Sequence, residues 1–260
     1  MKNKVTDKMN STHHKKYINS KSFFDNIILN YDTKGENYGN QNRNSLKLYD
    51  FNGYKVNVKS FKVPNLVNQF AYRFLRKSKA QRSYEYANIL KNHNIGTPQP
   101  IAFYEFKEFL LFKKSYYISE HLNYDITYRE LTTDFDYPNY EEILRAFTRF
   151  TFKLHENEIN FLDHSPGNTL ITKNKNGYDF ALVDLNRMEF KKMSLDDRIK
   201  NFAKLTTHKF MVEIMSDEYS KLTNTKYEDV FNIMWTETNK FQDKFHKKQR
   251  IKKQLKFWKR

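Results

Sequence analysis

The chain of 260 residues contains no cysteine. That removes disulfides, thiol nucleophiles and cysteine-ligated zinc or iron–sulfur centres. Glycine and proline are scarce, 6 and 5 residues, too few for collagen-like or linker-dominated architecture. No apolar run approaches the roughly 20 residues that cross a bilayer. The opening stretch MKNKVTDKMNSTHHKKYINSKS holds no apolar segment of leader length, so the expected location is the cytoplasm. Histidines at metal-ligand spacing are confined to His13-His14, and no G-x-S-x-G elbow occurs.

What is present is aromatic and basic. Aromatic residues make up 17% and all hydrophobic residues 38%, enough for a folded core. The net charge is +16, but it gathers at the ends. Residues 1–20 carry five lysines against Asp7, and residues 240–260 carry ten Lys/Arg against Asp243. The body between is nearly neutral, unlike a uniformly basic nucleic-acid binder.

Residues 1–20 read as a flexible basic arm. Phe23 to Lys62 reads as strand-like: the apolar run Ile27-Ile28-Leu29, a turn-rich stretch with Gly35 and Gly39, then two alternating segments joined by Asn52-Gly53, a hairpin signal. Residues 76–93 read as a helix, 101–106 and 115–119 as strands. Residues 140–157 form an amphipathic helix with Ile143, Leu144, Phe147, Phe150, Thr151 and Leu154 as its stripe. A loop, a β-hairpin and a mostly helical remainder follow. This order predicts an α+β protein in two lobes: residues 21–120 as a small antiparallel-sheet lobe with one helix, 121–239 as a mainly helical lobe. Residues 240–260 are expected to be a basic amphipathic helix.

The chemistry concentrates in Leu162-Asp163-His164-Ser165-Pro166-Gly167-Asn168, with Asp184 sixteen residues beyond Asn168. Read alone, the first stretch is equally a turn, since Asp, Ser, Pro, Gly and Asn all favour turns. Its position between an apolar helix and two strands favours a site. Two carboxylates and an amide are oxygen donors suited to Mg²⁺.

Here the chain resembles the protein-kinase-like superfamily, whose catalytic loop reads H-R-D-x-x-x-x-N and whose metal-binding strand end reads D-F-G. The resemblance implies Asp163 as catalytic base and Asn168 and Asp184 as metal ligands, with ATP and Mg²⁺ as cofactors. Upstream, Val56-Asn57-Val58-Lys59 matches V-A-I-K, and Glu85 lies in the following helix. These imply Lys59 at the nucleotide phosphates and Glu85 holding Lys59; the plain alternatives are a solvated lysine and a surface helix charge. Glu120-His121-Leu122 falls where the superfamily's linker offers backbone groups of Glu120 and Leu122 to adenine, or is an ordinary connector. The departures are specific. No G-x-G-x-x-G loop occurs, Phe161-Leu162 replaces His-Arg, Leu185-Asn186 replaces Phe-Gly, and no A-P-E element follows. Peptide phosphorylation is therefore not expected.

Among atypical kinases the chain is similar to the Kdo/WaaP lipopolysaccharide kinase family. The likeness rests on Val56 to Phe61, Arg82-x-x-Glu85 running into Ile95-x-Thr97-Pro98-x-Pro100, Val183-Asp184-Leu185-Asn186-Arg187, and Leu195-x-Asp197-Arg198-x-x-Asn201-x-x-Lys204-Leu205. It implies phosphorylation of a sugar hydroxyl of lipopolysaccharide core or a related glycolipid, at the cytoplasmic face of the inner membrane. The competing readings are a small-molecule phosphotransferase for an aminoglycoside or choline-like substrate, a kinase-like pseudoenzyme, and a nucleic-acid-binding protein, the last disfavoured. In the basic tail, Phe241, Phe245, Ile251, Leu255 and Trp258 share one helical arc. It reads as a peripheral contact with an anionic membrane or as a final helix packed on the large lobe.

Overall fold

The computed structural model describes residues 8–39, 44–108 and 110–257. The chain divides into two units: residues 1–123 with 184–186, and residues 124–183 with 187–260.

The first unit is built on a six-stranded antiparallel sheet. Its strands are β1 (Lys8–His13), β2 (Glu36–Asn37), β3 (Asn44–Phe51), β4 (Tyr54–Phe61), β5 (Pro100–Glu108) and β6 (Leu111–Glu120), in the order β1-β5-β6-β4-β3-β2. The expected hairpin joins β3 to β4. Asn52 and Gly53 both have positive φ, 48° and 85°, as a two-residue turn matched to strand twist requires. Strand alternation then sets the faces. Val56 and Val58 are fully buried, which turns Lys55, Asn57 and Lys59 to the opposite face.

Three helices accompany this sheet: α1 (Lys21–Leu29), α2 (Leu66–Phe74) and α3 (Lys79–Asn92). Ser78 caps α3 by accepting from the Gln81 amide at 3.0 Å. Two expectations need correction here. The run Ile27-Ile28-Leu29 is helical, not a strand. Phe24, Ile27 and Ile28 are its buried residues, spaced as a helix face requires. Residues 8–20 are not a flexible arm. β1 pairs along its whole length with β5, from Lys8 opposite Lys107 to His13 opposite Ala102. A 3-10 helix (Lys15–Ser20) then buries Tyr17. An edge strand keeps one row of backbone groups and much of its surface in water, so its polar sequence hides it. The part of that arm at residues 1–7 lies outside the described residues.

The second unit holds the 17-residue helix α4 (Tyr140–Glu156), where the amphipathic pattern predicts a helix. Ile143, Leu144, Phe147 and Leu154 are fully buried. Around it lie β7 (Ile126–Thr127), β8 (Ile159–Phe161), β9 (Thr169–Asn174), β10 (Gly177–Leu182) and β11 (Met188–Phe190), then α5 (Leu195–Lys200), α6 (Lys209–Thr223) and α7 (Tyr227–Phe257). β10, β9 and β7 form one small sheet, β11 and β8 another. Arg145 of α4 pairs with Asp217 and Glu218 of α6. The tail expected at 240–260 is the distal part of α7, a single 31-residue helix. Val230, Met234 and Thr238 anchor its first turns in the core. Residues 243–255 are exposed on every face; Trp258 lies outside the described residues. Among the described residues no helix is long and apolar enough to cross a membrane.

Candidate active site

In the first unit, β4 delivers Lys59 to the polar side of its strand. The Lys59 ammonium lies 2.7 Å from Asp184 Oδ1, and the two side chains are 18% and 34% exposed. Residues 125 positions apart in sequence meet here. The Asn186 amide donates to the same Asp184 oxygen at 2.7 Å. Asp184 adopts φ +57°, a left-handed conformation that Asp tolerates better than most residues. Its carboxylate is thus aimed by an unusual backbone and held by two donors. Asn57, at the position where the kinase pattern has a small alanine, has its Oδ1 buried without a partner among the described residues.

Glu85 is not brought to Lys59. Its carboxylate accepts instead from Lys77 Nζ at 2.8 Å and from Gln81 Nε2 at 2.9 Å. Gln81 sits one turn earlier on the same face of α3, and Lys77 just before the helix, so local partners take the carboxylate.

At the end of β6, the Glu120 amide donates to Gln99 O and the His121 amide to Lys55 O, both at 2.9 Å. The Glu120 side chain is fixed by Tyr17 OH and by Lys16 Nζ. Burial, then the Glu120 contact, pushes the Tyr17 hydroxyl well above its usual range. No described residue bonds the Leu122 amide. The Tyr38 ring packs edge-on against His121, centroids 5.2 Å apart.

In the second unit, the loop after β8 carries Asp163. The Leu162 amide bonds Arg187 O at 3.1 Å and the His164 amide bonds Phe161 O at 3.1 Å. The five-residue spacing to Asn168 closes the loop: Asn168 Nδ2 donates to Asp163 O at 2.8 Å, and the Val183 amide to Asn168 O at 3.0 Å. The turn chemistry of Ser165-Pro166-Gly167 appears as a 3-10 turn over Pro166–Asn168. The Arg129 guanidinium lies over Gly167, where a Cβ would be 2.5 Å from its tip and the side chain would have to move aside.

Two cations lie near Asp163. Arg187 Nη1 lies 3.6 Å from Asp163 Oδ1. Lys204 Nζ donates to Leu162 O. Burial lowers the Lys204 pKa, Asp163 raises it, and Arg187 lowers it. Below the loop lies a buried polar clamp. Asn201 Oδ1 faces His164 Nδ1 at 3.1 Å and His155 Nε2 at 3.3 Å. Its Nδ2 donates to Phe161 O and to Asn160 Oδ1, both at 3.0 Å. Burial pushes His155 down to about 3 and His164 down to about 4.

These groups fit a hard cation only in part. Asn168 Nδ2 is committed to Asp163 O, so the Asn168 Oδ1 is the atom left to donate. Asp184 Oδ1 is engaged, which leaves Oδ2. Among the described residues no three His, Asp or Glu gather as a metal cage. Each is, by itself, an oxygen donor of the kind Mg²⁺ accepts, an ion that takes few protein ligands and completes its shell with phosphates and water.

Arg129, Asn186, Arg187, Asn201 and Lys204 carry no role in the motif reading. Asn186, Arg187, Asn201 and Lys204 do stand within the segments that resemble the lipopolysaccharide kinases, and only Arg129 lies outside them.

The model of the lipopolysaccharide kinase (Kdo/WaaP) family matches residues 43–242. The fold is similar to that of WaaP, solved in complex with acyl carrier protein. Identity is 13%, the match covers 92% of this chain and 98% of that one, and the TM-score is 0.64. A MAP kinase from Leishmania major matches at 16% identity over 82% of this chain and 66% of its own, with a TM-score of 0.48. No curated protein sequence matches. The architecture is the protein-kinase-like α+β fold, an antiparallel sheet with helices followed by a helical part.

Proposed function

Since the chain belongs to the lipopolysaccharide kinase (Kdo/WaaP) family, we propose that it transfers the γ-phosphoryl group of ATP to a sugar hydroxyl of lipopolysaccharide core or a related glycolipid. The observation that carries this reading is the Lys59–Asp184 ion pair at 2.7 Å, which unites the strand lysine and the metal-site aspartate of the kinase pattern. Lys59 holds nucleotide phosphates. Glu120 and Leu122 offer backbone groups to the adenine. Glu85, bonded to Lys77 in this structure, takes Lys59 only after a change of partner.

Asp163 orients the acceptor hydroxyl and accepts its proton. The acceptor oxygen forms a bond to the γ-phosphorus as the bond to the β-phosphate oxygen breaks, and ADP leaves. Arg187, 3.6 Å from the Asp163 carboxylate, helps hold it in place beside the acceptor. Asn168 and Asp184 would each supply one oxygen to Mg²⁺. That ion, when bound, neutralises the phosphate charge. A glycolipid acceptor places the work at the cytoplasmic face of the inner membrane.

The test is transfer of labelled γ-phosphate from Mg·ATP into lipopolysaccharide or a total-lipid extract. Asp163→Asn should cut transfer by about 10²–10⁴-fold while leaving the thermal melt in place. Undiminished transfer by Asp163→Asn overturns the assignment.

A further inference from the structure

The segment between β4 and α3 carries an apolar face that no described residue covers. Val63, Leu66, Val67, Phe70, Phe74 and Leu75 are 38%, 68%, 80%, 51%, 51% and 75% exposed. At 100° per residue, Leu66, Phe70, Phe74 and Val67 fall within about 100° of one side of α2. The opposite side faces the protein: Gln69 is buried, and Tyr72 packs on Phe112 of β6, ring centroids 5.7 Å apart. α2 is therefore docked by its polar and tyrosyl side and presents its apolar side outward. This reverses the usual burial of an amphipathic helix.

The charge along this segment and the first turn of α3 is mostly basic. Lys62, Arg73, Arg76, Lys77, Lys79 and Arg82 lie there, Lys77 paired with Glu85 at 2.8 Å, and no Asp or Glu occurs from residue 51 to residue 84. Beside α2 opens a cavity of about 300 Å³ whose lining includes Lys62, Lys79, Asn65, Asn68, Tyr72 and Ser115. No ion pair between either lysine and a described residue is present. Two ammonium groups and several hydroxyl and amide groups, with no carboxylate, suit a phosphate ester.

We propose that α2 and this cavity form a docking surface for an anionic phospholipid bilayer. The aromatic and aliphatic side chains enter the headgroup–acyl boundary, and Lys62 and Lys79 hold a headgroup phosphate. Outward phenylalanines and leucines beside lysines and arginines are the composition of an interfacial helix. A second copy of the chain fits less well, since a symmetric contact would press the unpaired cations of this face, Lys62 and Lys79 among them, against their own copies. This surface goes beyond the phosphotransferase reading and does not depend on Asp163.

The experiment is co-sedimentation of the full chain with vesicles of phosphatidylglycerol mixed into phosphatidylcholine, and with phosphatidylcholine alone. The wild type should pellet with the anionic vesicles and remain in solution with the neutral ones. Phe70→Ser with Phe74→Ser, and separately Lys62→Gln with Lys79→Gln, should each weaken partition about tenfold. Asp163→Asn should partition as the wild type, so a failed kinase assignment leaves this result readable. Phe245→Ser with Ile251→Ser in α7 should also bind normally. The side chains substituted in α2, α7 and the cavity are exposed or line the cavity, and a thermal melt checks the fold of each variant. Three results overturn the proposal: α2 variants that pellet like the wild type, equal partition onto neutral vesicles, or a dimer that the Phe70→Ser, Phe74→Ser variant disperses.

Discussion

Asn201 shows how a single side chain holds the candidate catalytic loop. It bonds the backbone of Phe161, the side chain of Asn160 and two histidines. His155 and His164 are both buried, and both are kept neutral by burial. In the unfolded chain each titrates near 6.5. Above that pH neither state binds a proton at these rings, and stability is unaffected. Below it the unfolded chain takes up protons that the folded chain refuses until about pH 4 at His164 and about pH 3 at His155. Stability should therefore fall as pH drops from 6.5 toward 4, by roughly 1 kcal/mol per pH unit for each histidine. Urea unfolding across that range checks it, and His164→Asn should give the shallower slope. A wild-type stability flat between pH 6.5 and 5 would show the rings to be already protonated or solvated.

At the scale of elements, legibility followed periodicity. α4 was readable because Ile143, Leu144, Phe147 and Leu154 repeat at 3.6 residues and all are buried. The β3–β4 hairpin was readable because Asn52-Gly53 has one dominant use. α1 was misread because Ile27-Ile28-Leu29 is a short apolar run, which suits a strand as well as a helix. α2 escaped although Leu66, Phe70 and Phe74 recur at helical spacing, because a helix of nine residues gives that period little length in which to show. Residues 8–20 escaped because an edge strand needs few apolar residues, while Tyr17 and Phe24 were the buried anchors. The site divides the same way. Asp163, Asn168, Lys59 and Asp184 are fixed by short spacings. Arg129 over Gly167, and Lys204 on Leu162, join residues about 40 positions apart and leave no spacing to read. The clamp gives the element-scale prediction. Asn201→Ala leaves His155 and His164 without their shared partner and should cost about 2 kcal/mol of stability. A shift of the urea midpoint measures it; a change within a few tenths of a kcal/mol would mean that water replaces the amide.

Across the whole molecule, the candidate groups fall into two sets that belong to different units. Lys59, Asp184, Glu120 and Leu122 lie in the first, and Asp163, Asn168, Arg187 and Lys204 lie in the second. The first set contains a strand lysine and linker backbone groups, chemistry that grips a nucleotide. The second contains a carboxylate paired with Arg187 and near Lys204, chemistry suited to a hydroxyl and a transferring phosphoryl group. The sets should therefore separate in binding measurements. Lys59→Met removes the ammonium from the phosphates and frees the Asp184 carboxylate, so it should weaken Mg·ATP binding about tenfold as well as lower kcat. On the proposed reading Asp163 acts only as the acceptor proton moves, so Asp163→Asn should lower kcat and leave Mg·ATP affinity within about twofold. Titration calorimetry with Mg·ATP, set beside the transfer assay, reads both. If Asp163→Asn weakened ATP binding as much as Lys59→Met did, Asp163 would be a nucleotide-binding group, and the catalytic base would have to be sought among the other residues of the second unit.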